Sequence, residues 1–439
     1  MIRKSLALAF IIPGSFSSFA QDAKSTVWSL ENCLTYAVEN NITVQQAVLT
    51  GSSAELDYQQ AKMNRFPNLF ASASQSLTNG RSIDPITSDF VSQTIHSTSF
   101  GVTSQVALYN GGKLNNQVKQ QKLVSEQNVF YVLEARNNIS LSVTEAYLLA
   151  DYYYEGIKAA QNTLALSQQQ LEQGKGKLAA GVSTKSAIAE LQSLVAQNQH
   201  TLVQTKNQYA QQLLTLKQLL ELDPGTEFDI QHTDLKGSIS IIPDKQTVYT
   251  AALGNMPEIK AAELQKEVAE LDKKIAFSGY LPSLSLSGSL ATGYTNTQAY
   301  NFSNQIGNNF NQRIALSLNI PIYSRNQNKT NMEKAKISLQ NSELQLTQEQ
   351  KDLFKKIETA WQNAVAAQAE MESATAGLDA AQTAYDLVQE QFNRGATDAV
   401  SLAVSQNTLL NAQQSFLQAK YMHILYVNLL HFYQGTTIK

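Results

Sequence analysis

The chain is short of several things, and each shortage excludes something. It has one cysteine, Cys33, in 439 residues, which rules out a disulfide framework and any multi-cysteine metal cluster. Proline occurs only 8 times, about 1.8% against a usual ~5%. That disfavours a loop-rich chain and favours long uninterrupted helices. Charged residues make up 16%, against roughly 25% in an average soluble domain, and Gln, Asn, Ser and Thr take their place. The formal net charge of −3 gives no basic footprint for nucleic acid or anionic lipid. No apolar run reaches the ~20 residues of a membrane-spanning helix. Gly174-Lys175-Gly176 lies inside a helical stretch with no strand before it, so it is not a phosphate loop. Among the histidines only the loose His423/His431 pair has any ligand-like spacing, and on a tyrosine-rich helix it reads more readily as packing. No catalytic, cofactor-binding or metal site is expected.

What is present begins with an address. Arg3 and Lys4, then the apolar run Leu6 to Ile12, then Ser18-Phe19-Ala20 predict a signal peptide over 1–20, cleaved after Ala20. Losing Arg3 and Lys4 takes the net charge from −3 to −5. No cysteine stands at a lipoprotein position.

The remaining chain repeats itself. Phe66-Pro67-Asn68-Leu69 matches Leu281-Pro282-Ser283-Leu284 at an offset of 215. Leu108-Tyr109-Asn110 matches Ile322-Tyr323-Ser324, Tyr147 matches Trp361, and Ala180-Gly181-Val182 matches Arg394-Gly395-Ala396, all at 214. Two repeats, 21–222 and 248–434, are predicted, with a linker over 223–247 and a short tail over 435–439. Each repeat reads as an interrupted helix, two strands, a long helix and a return helix.

The strands are expected near 66–77, 99–109, 282–291 and 313–322, where side chains alternate with period two. Phe100, Val102, Val106 and Leu108 share one face, as do Leu284, Leu286 and Leu290, and Ile314, Leu316, Leu318 and Ile320. The opposite faces carry Ser, Thr, Gln, Asn and Arg313. Such strands fit an antiparallel sheet on a soluble core or a transmembrane barrel, apolar outside and wet inside. Two features favour the barrel: long polar loops over 78–98 and 292–312, and helices with no spare apolar face to cover a sheet.

The proline-free stretches 113–179 and 327–393 are each 67 residues, roughly 100 Å as helix. Shorter helices over 30–64 with 184–221, and over 248–279 with 399–433, stack to a similar length. Heptad seams run through Met371, Ala374, Leu378, Ala381, Tyr385, Val388 and Phe392, and at the same offset through Ile157, Ala160, Leu164, Ser167, Leu171, Gly174 and Leu178. These are the proportions of a long cylinder. Four strands cannot close a barrel, and open edges in lipid strand backbone groups at several kcal/mol each. A cyclic homo-oligomer is required if they span a membrane.

This order, with Phe66-Pro67-Asn68-Leu69 and Leu281-Pro282-Ser283-Leu284 at the strand starts and Leu108-Tyr109-Asn110-Gly111-Gly112 at the strand-to-helix junction, resembles the TolC-like outer membrane efflux family. The resemblance implies a mainly α fold with a membrane β-barrel: a homotrimer whose twelve strands form one outer-membrane barrel, continued by an α-helical tunnel through the periplasm. It implies an exit duct of a tripartite efflux or type I secretion system, docked to a periplasmic adaptor and an inner-membrane pump or ABC transporter. The family's tip motif, of Val-Gly-Leu/Thr type, falls on Ala180-Gly181-Val182 and Arg394-Gly395-Ala396, where both repeats keep the glycine. Members carry an acidic pair narrowing the periplasmic entrance; its positions here hold Ser401 and Val404, with Asp398 nearby and Lys185 and Glu190 in the first repeat. Asp398 reads equally as a helix cap. The competing reading is a secreted or periplasmic coiled-coil structural or adaptor protein without a pore.

Overall fold

The computed structural model of the chain describes residues 27–92, 94–232 and 241–436. The expected signal peptide, residues 233–240 of the linker and 437–439 of the tail lie outside them.

The first repeat opens with β1 (Val27–Trp28), α1 (Leu30–Asn40) and α2 (Ile42–Met63). The helix breaks at Asn41, whose side chain accepts from Thr43 N at 2.9 Å to start α2 and donates to Leu219 O at 3.0 Å. Next come β2 (Phe70–Thr78), a short hairpin of β3 (Arg81–Ile83) and β4 (Phe90–Ser92), and β5 (Ile95–Asn110). Then follow α3 (Lys113–Ala179) and α4 (Lys185–Leu219). After β6 (Asp229–Ile230), which pairs in parallel with β1, the second repeat gives α5 (Lys245–Asn255), α6 (Pro257–Ser278), β7 (Ser283–Thr295), α7 (Phe302–Asn308), β8 (Asn311–Asn319), α8 (Gln327–Asn393) and α9 (Ala399–Tyr433). Here the break falls at Met256, where Pro257 occupies the first helical position and needs no N–H partner.

Four strands form one antiparallel sheet in the order β2-β5-β7-β8. The repeats therefore meet in the middle, through β5 and β7, and β2 and β8 are left as edges.

Several sequence expectations need correction. The first strand starts at Phe70, not near 66. Residues 64–66 are spent closing the helix, with Phe66 N donating to Met63 O at 2.9 Å, and Pro67 has no N–H to offer a ladder. The last strand ends at Asn319, so Ile320 lies beyond it, before Pro321. The expected polar loops are shorter and more structured: β5 already begins at Ile95, β7 runs on to Thr295, and the intervening segments hold the β3–β4 hairpin and α7.

The interior is strung out along the helices. One buried cluster joins Cys33 and Ala37 to Val143, Tyr147, Leu216 and Leu220, and its counterpart in the second repeat joins Val248 and Ala252 to Ile357, Val427 and Leu430. Full burial of such a Leu or Ile contributes about 1.5–3 kcal/mol. Further along, Ile157, Ala160 and Leu164 bury against Leu202, and Leu191 joins Ala381, Tyr385, Phe392, Leu402 and Leu409. Gly174 sits at this seam because a Cβ there would lie 2.6 Å from Leu191 Cδ1.

Candidate functional site

The sheet register sorts the strand residues onto two faces. Leu286 stands opposite Leu316 and Val106, Leu284 opposite Leu318, and Leu290 opposite Val102. Phe100 pairs with Thr292, and Ile314 with Gly288. Among the described residues nothing covers this face at β8: Ile314, Leu316 and Leu318 are 84%, 63% and 62% exposed. A β-bulge between Ala107 and Tyr109 changes one assignment, because Tyr109, not Leu108, pairs with Leu284. The extra residue turns the strand just before its helix begins.

The other face is mostly small and hydroxylic, with Phe70, Gln105 and Arg313 as its larger members. Ser74 and Ser99 hydroxyls lie 2.7 Å apart, and Ser76 and Ser97 2.6 Å apart. Ser285 stands opposite Ser317, Ser287 opposite Ala315, and Ser289 opposite Arg313.

At the end of the sheet away from the long helices, the two repeats are clamped together by groups that alternation could not reveal. The Asp84 carboxylate accepts from Ile86 N (2.8 Å), Thr87 N (3.0 Å), the Thr295 hydroxyl (3.2 Å) and the Thr297 hydroxyl. Buried Gln305 accepts from Thr295 N at 2.8 Å and donates to Tyr300 O at 2.7 Å. Asn296 donates to Thr94 O at 3.0 Å and accepts from His96 N at 2.7 Å.

The opposite end holds the helix tips. Gly181 has φ +78°; its N–H donates to Leu178 O and that of Val182 to Lys177 O, both at 2.9 Å. Gly395 has φ +74°, with Gly395 N on Phe392 O (3.1 Å) and Ala396 N on Gln391 O (2.8 Å). Both are Schellman turns, which need a left-handed residue and so favour glycine. Ala180 and Arg394 close the two helices, and Val182 projects into solvent. The tips are joined by a residue the sequence did not single out: Lys177 Nζ donates to Phe392 O at 2.6 Å and Asn393 O at 3.2 Å, satisfying carbonyls at the end of α8. Further back, Gln170 donates to the Tyr385 hydroxyl at 3.0 Å and Gln406 to Thr163 O at 3.1 Å. Heptad periodicity marks these seams but says nothing of which hydrogen bonds cross them.

The expected entrance residues lie at the N-cap of α9 and in the first two turns of α4 and α9. Asp398 caps α9 by accepting from Ser401 N at 2.8 Å, which holds its carboxyl below the usual range. Thr184, at the same repeat position, caps α4 by accepting from Ala187 N at 3.1 Å. Lys185 begins α4, and Glu190 accepts from the Ser186 hydroxyl at 3.4 Å. Val404 is exposed on α9, one turn past Ser401.

Residues 34–221 and 248–430 match the family described as outer membrane efflux protein. The chain is 24% identical over 400 residues to the probable outer membrane lipoprotein SilC of Salmonella typhimurium, covering 88% of this chain and 81% of that one. It is 21% identical over 411 residues to the cation efflux system protein CusC of Escherichia coli O157:H7, covering 89% and 82%. Its fold is similar to a crystal structure of CusC, with a TM-score of 0.80 at 19% identity and 99% of each chain covered. The outer membrane channel CmeC of Campylobacter jejuni superposes with a TM-score of 0.80 at 17% identity, covering 92% of this chain and 85% of that one. Since the two matched segments take in both sets of strands and long helices and most of the chain, this protein belongs to the outer membrane efflux protein family.

Proposed function

We propose that three copies of this chain close into one duct, a twelve-stranded barrel in the outer membrane continued by a helical tunnel through the periplasm. The observation that carries this reading is a sheet with an uncovered apolar face and two unpaired edges, set on helices of roughly 100 Å. Unpaired strand edges are untenable in lipid, so β8 of one copy pairs with β2 of the next. The helices support the same closure. α2 packs on α3, α3 on α6 and α6 on α8, leaving α2 and α8 as outer members. Each bears an exposed apolar stripe at seven-residue spacing: Ile42, Leu49, Leu56 and Met63 on one, Ile337 and Leu344 on the other. A secreted coiled-coil protein has no use for the apolar strand face.

The duct is passive, carries no cofactor, and receives cargo from an inner-membrane pump or ABC transporter through a periplasmic adaptor seated on the tips around Gly181 and Gly395. Lys185, Glu190, Asp398, Ser401 and Val404 surround its periplasmic entrance. The chain reaches the outer membrane after removal of residues 1–20. Relatives are named for different cargo, cation efflux (CusC) and pyoverdine export (OpmQ of Pseudomonas aeruginosa). SilC is named a probable lipoprotein. Cys33 here is not a lipid attachment point, being fully buried in α1 with its thiol pushed up to about 12 by burial.

The test is Gly181→Trp and Gly395→Trp. Apart from the adjoining residues no atom lies within 4 Å of a Cβ built at either site, so the new side chain would project from the tip; the left-handed backbone adds a strain of about 1–2 kcal/mol. Trimer in the outer membrane should persist while efflux is lost. Normal efflux in both would remove the docking assignment, and loss of trimer would make the turns a folding element.

A further inference from the structure

The four strands of the sheet contain one formally charged side chain, Arg313. It belongs to the hydroxylic face, since it stands opposite Ser289, which in turn stands opposite Thr103. Among the described residues no carboxylate pairs with it. Of the two carboxylates in the β3–β4 hairpin, Asp84 is buried and already accepts four hydrogen bonds, and Asp89 forms no ion pair with Arg313. A charge on this face is no requirement of folding, for the places in the same row on the other strands hold Ser289, Thr103 and Phe70. We propose that Arg313 forms an electropositive ring inside the barrel, one guanidinium from each of three protomers, which favours anionic solutes such as carboxylates, phosphates and sulfonates at the outer exit and disfavours cations. This rests on the trimeric duct proposed above.

The size of the barrel decides whether three charges matter. Twelve strands about 4.8 Å apart and tilted by ~40° enclose a backbone radius of roughly 12 Å. An arginine side chain spans a good part of that, and its neighbours Ser289 and Thr103 are too small to confine it. Any solute on the axis then passes within about one Debye length of three cations at 0.1 M salt (~10 Å), and well inside it at 0.01 M (~30 Å). The ring is therefore felt by everything that leaves, most strongly in dilute media.

The protein offers a clean reporter. Its only cysteine, Cys33, is buried and its thiol is held protonated, so it gives no background labelling. Ser287→Cys places a thiol on the same face, one alternation from Ser289. Intact cells carrying the full-length variant are treated from outside with methanethiosulfonates bearing either a sulfonate or a trimethylammonium group. The thiolate attacks the reagent's sulfenyl sulfur, forming a disulfide and releasing methanesulfinate, so labelling rate reads local reagent concentration. With Arg313 present, the sulfonate-to-ammonium rate ratio should exceed that of Arg313→Gln by about tenfold at low salt, converging near 1 M where the Debye length is ~3 Å. Arg313→Lys should keep the ratio. Ser289→Arg should restore it in Arg313→Gln and raise it further with Arg313 intact, which keeps the test alive should Arg313→Gln fail to assemble. Equal ratios with and without Arg313, or no rise with Ser289→Arg, overturn the ring while leaving the duct standing. No labelling by either reagent would instead remove the wet lumen itself.

Discussion

Asp398 and Thr184 occupy one repeat position and do one job with different chemistry: each side-chain oxygen accepts the backbone N–H three residues on, at the start of a return helix. A cap needs a short acceptor, not a charge. Asp398→Thr should therefore preserve slow amide exchange at Ser401 and Leu402, whose N–H groups donate to Asp398, whereas Asp398→Ala should let that turn fray. The aspartate differs from threonine in acid. The Ser401 N–H and then its hydroxyl depress the carboxyl's folded pKa, so its stabilisation is complete above the unfolded value, ~3.9, and is lost as pH falls through the lower folded one. Protection of the Asp398 protein should weaken only below about pH 4, and that of the Thr variant should not respond there. An Asp398→Thr variant that keeps protection but loses efflux would give the carboxylate a role at the entrance beyond capping.

Among the elements, the strands make the sharpest demand, because neighbouring residues stand on opposite faces, one apolar and one polar. Leu286 and Leu316 are cross-strand partners on the apolar face, and Ser285 and Ser317 are partners on the other. An arginine in lipid costs about 2–4 kcal/mol near the midplane, and one in a wet lumen very little. Leu286→Arg and Leu316→Arg should reduce heat-dissociable trimer in the outer membrane, while Ser285→Arg and Ser317→Arg should leave it near normal. Equal trimer in all four would reverse or abolish the face assignment. The junction below is just as specific: Gly111 and Gly112 have φ +64° and +81°, and Arg325 and Asn326, at the same repeat positions, adopt +48° and +63° without glycine. At Gly111 a Cβ would meet Leu281 Cβ at 2.8 Å, so close approach, beyond φ alone, excludes a side chain there.

At the scale of the molecule, the proposed trimer makes a demand on α2. Leu49 and Leu56 on α2 are 69% and 64% exposed, and in the proposed trimer they would be covered by the neighbouring copy. Leu49→Glu combined with Leu56→Glu should lower trimer yield in cross-linking while the helical signal of the protomer persists, since neither residue supports its own fold. Undiminished trimer would place the interface elsewhere.

The long helices were legible in the sequence because helix formation is local. The proline-free runs and the glycines at 181 and 395 mark where a helix can continue and where it must reverse, and α3 and α8 end just before those glycines. The strand faces were legible for the same reason, since period-two alternation is written into neighbouring residues. Strand limits were not: Phe70, Ile95, Thr295 and Asn319 are fixed by which partner N–H and C=O groups remain available, and Leu108 lost its place to Tyr109 through a bulge that only pairing can create. The Asp84–Thr295 clamp, the Lys177 bond across the tips and the Gln170–Tyr385 contact each join residues more than two hundred positions apart. No periodicity encodes such pairs, because polar side chains at a seam look like solvated ones until folding brings their partners within 3 Å. The sequence by itself determined that this chain would be two repeats of strands and long helices with one polar and one apolar strand face. Only the tertiary structure decided which residues tie those repeats together, since hydrogen bonds over that distance depend on the packing of every helix between them.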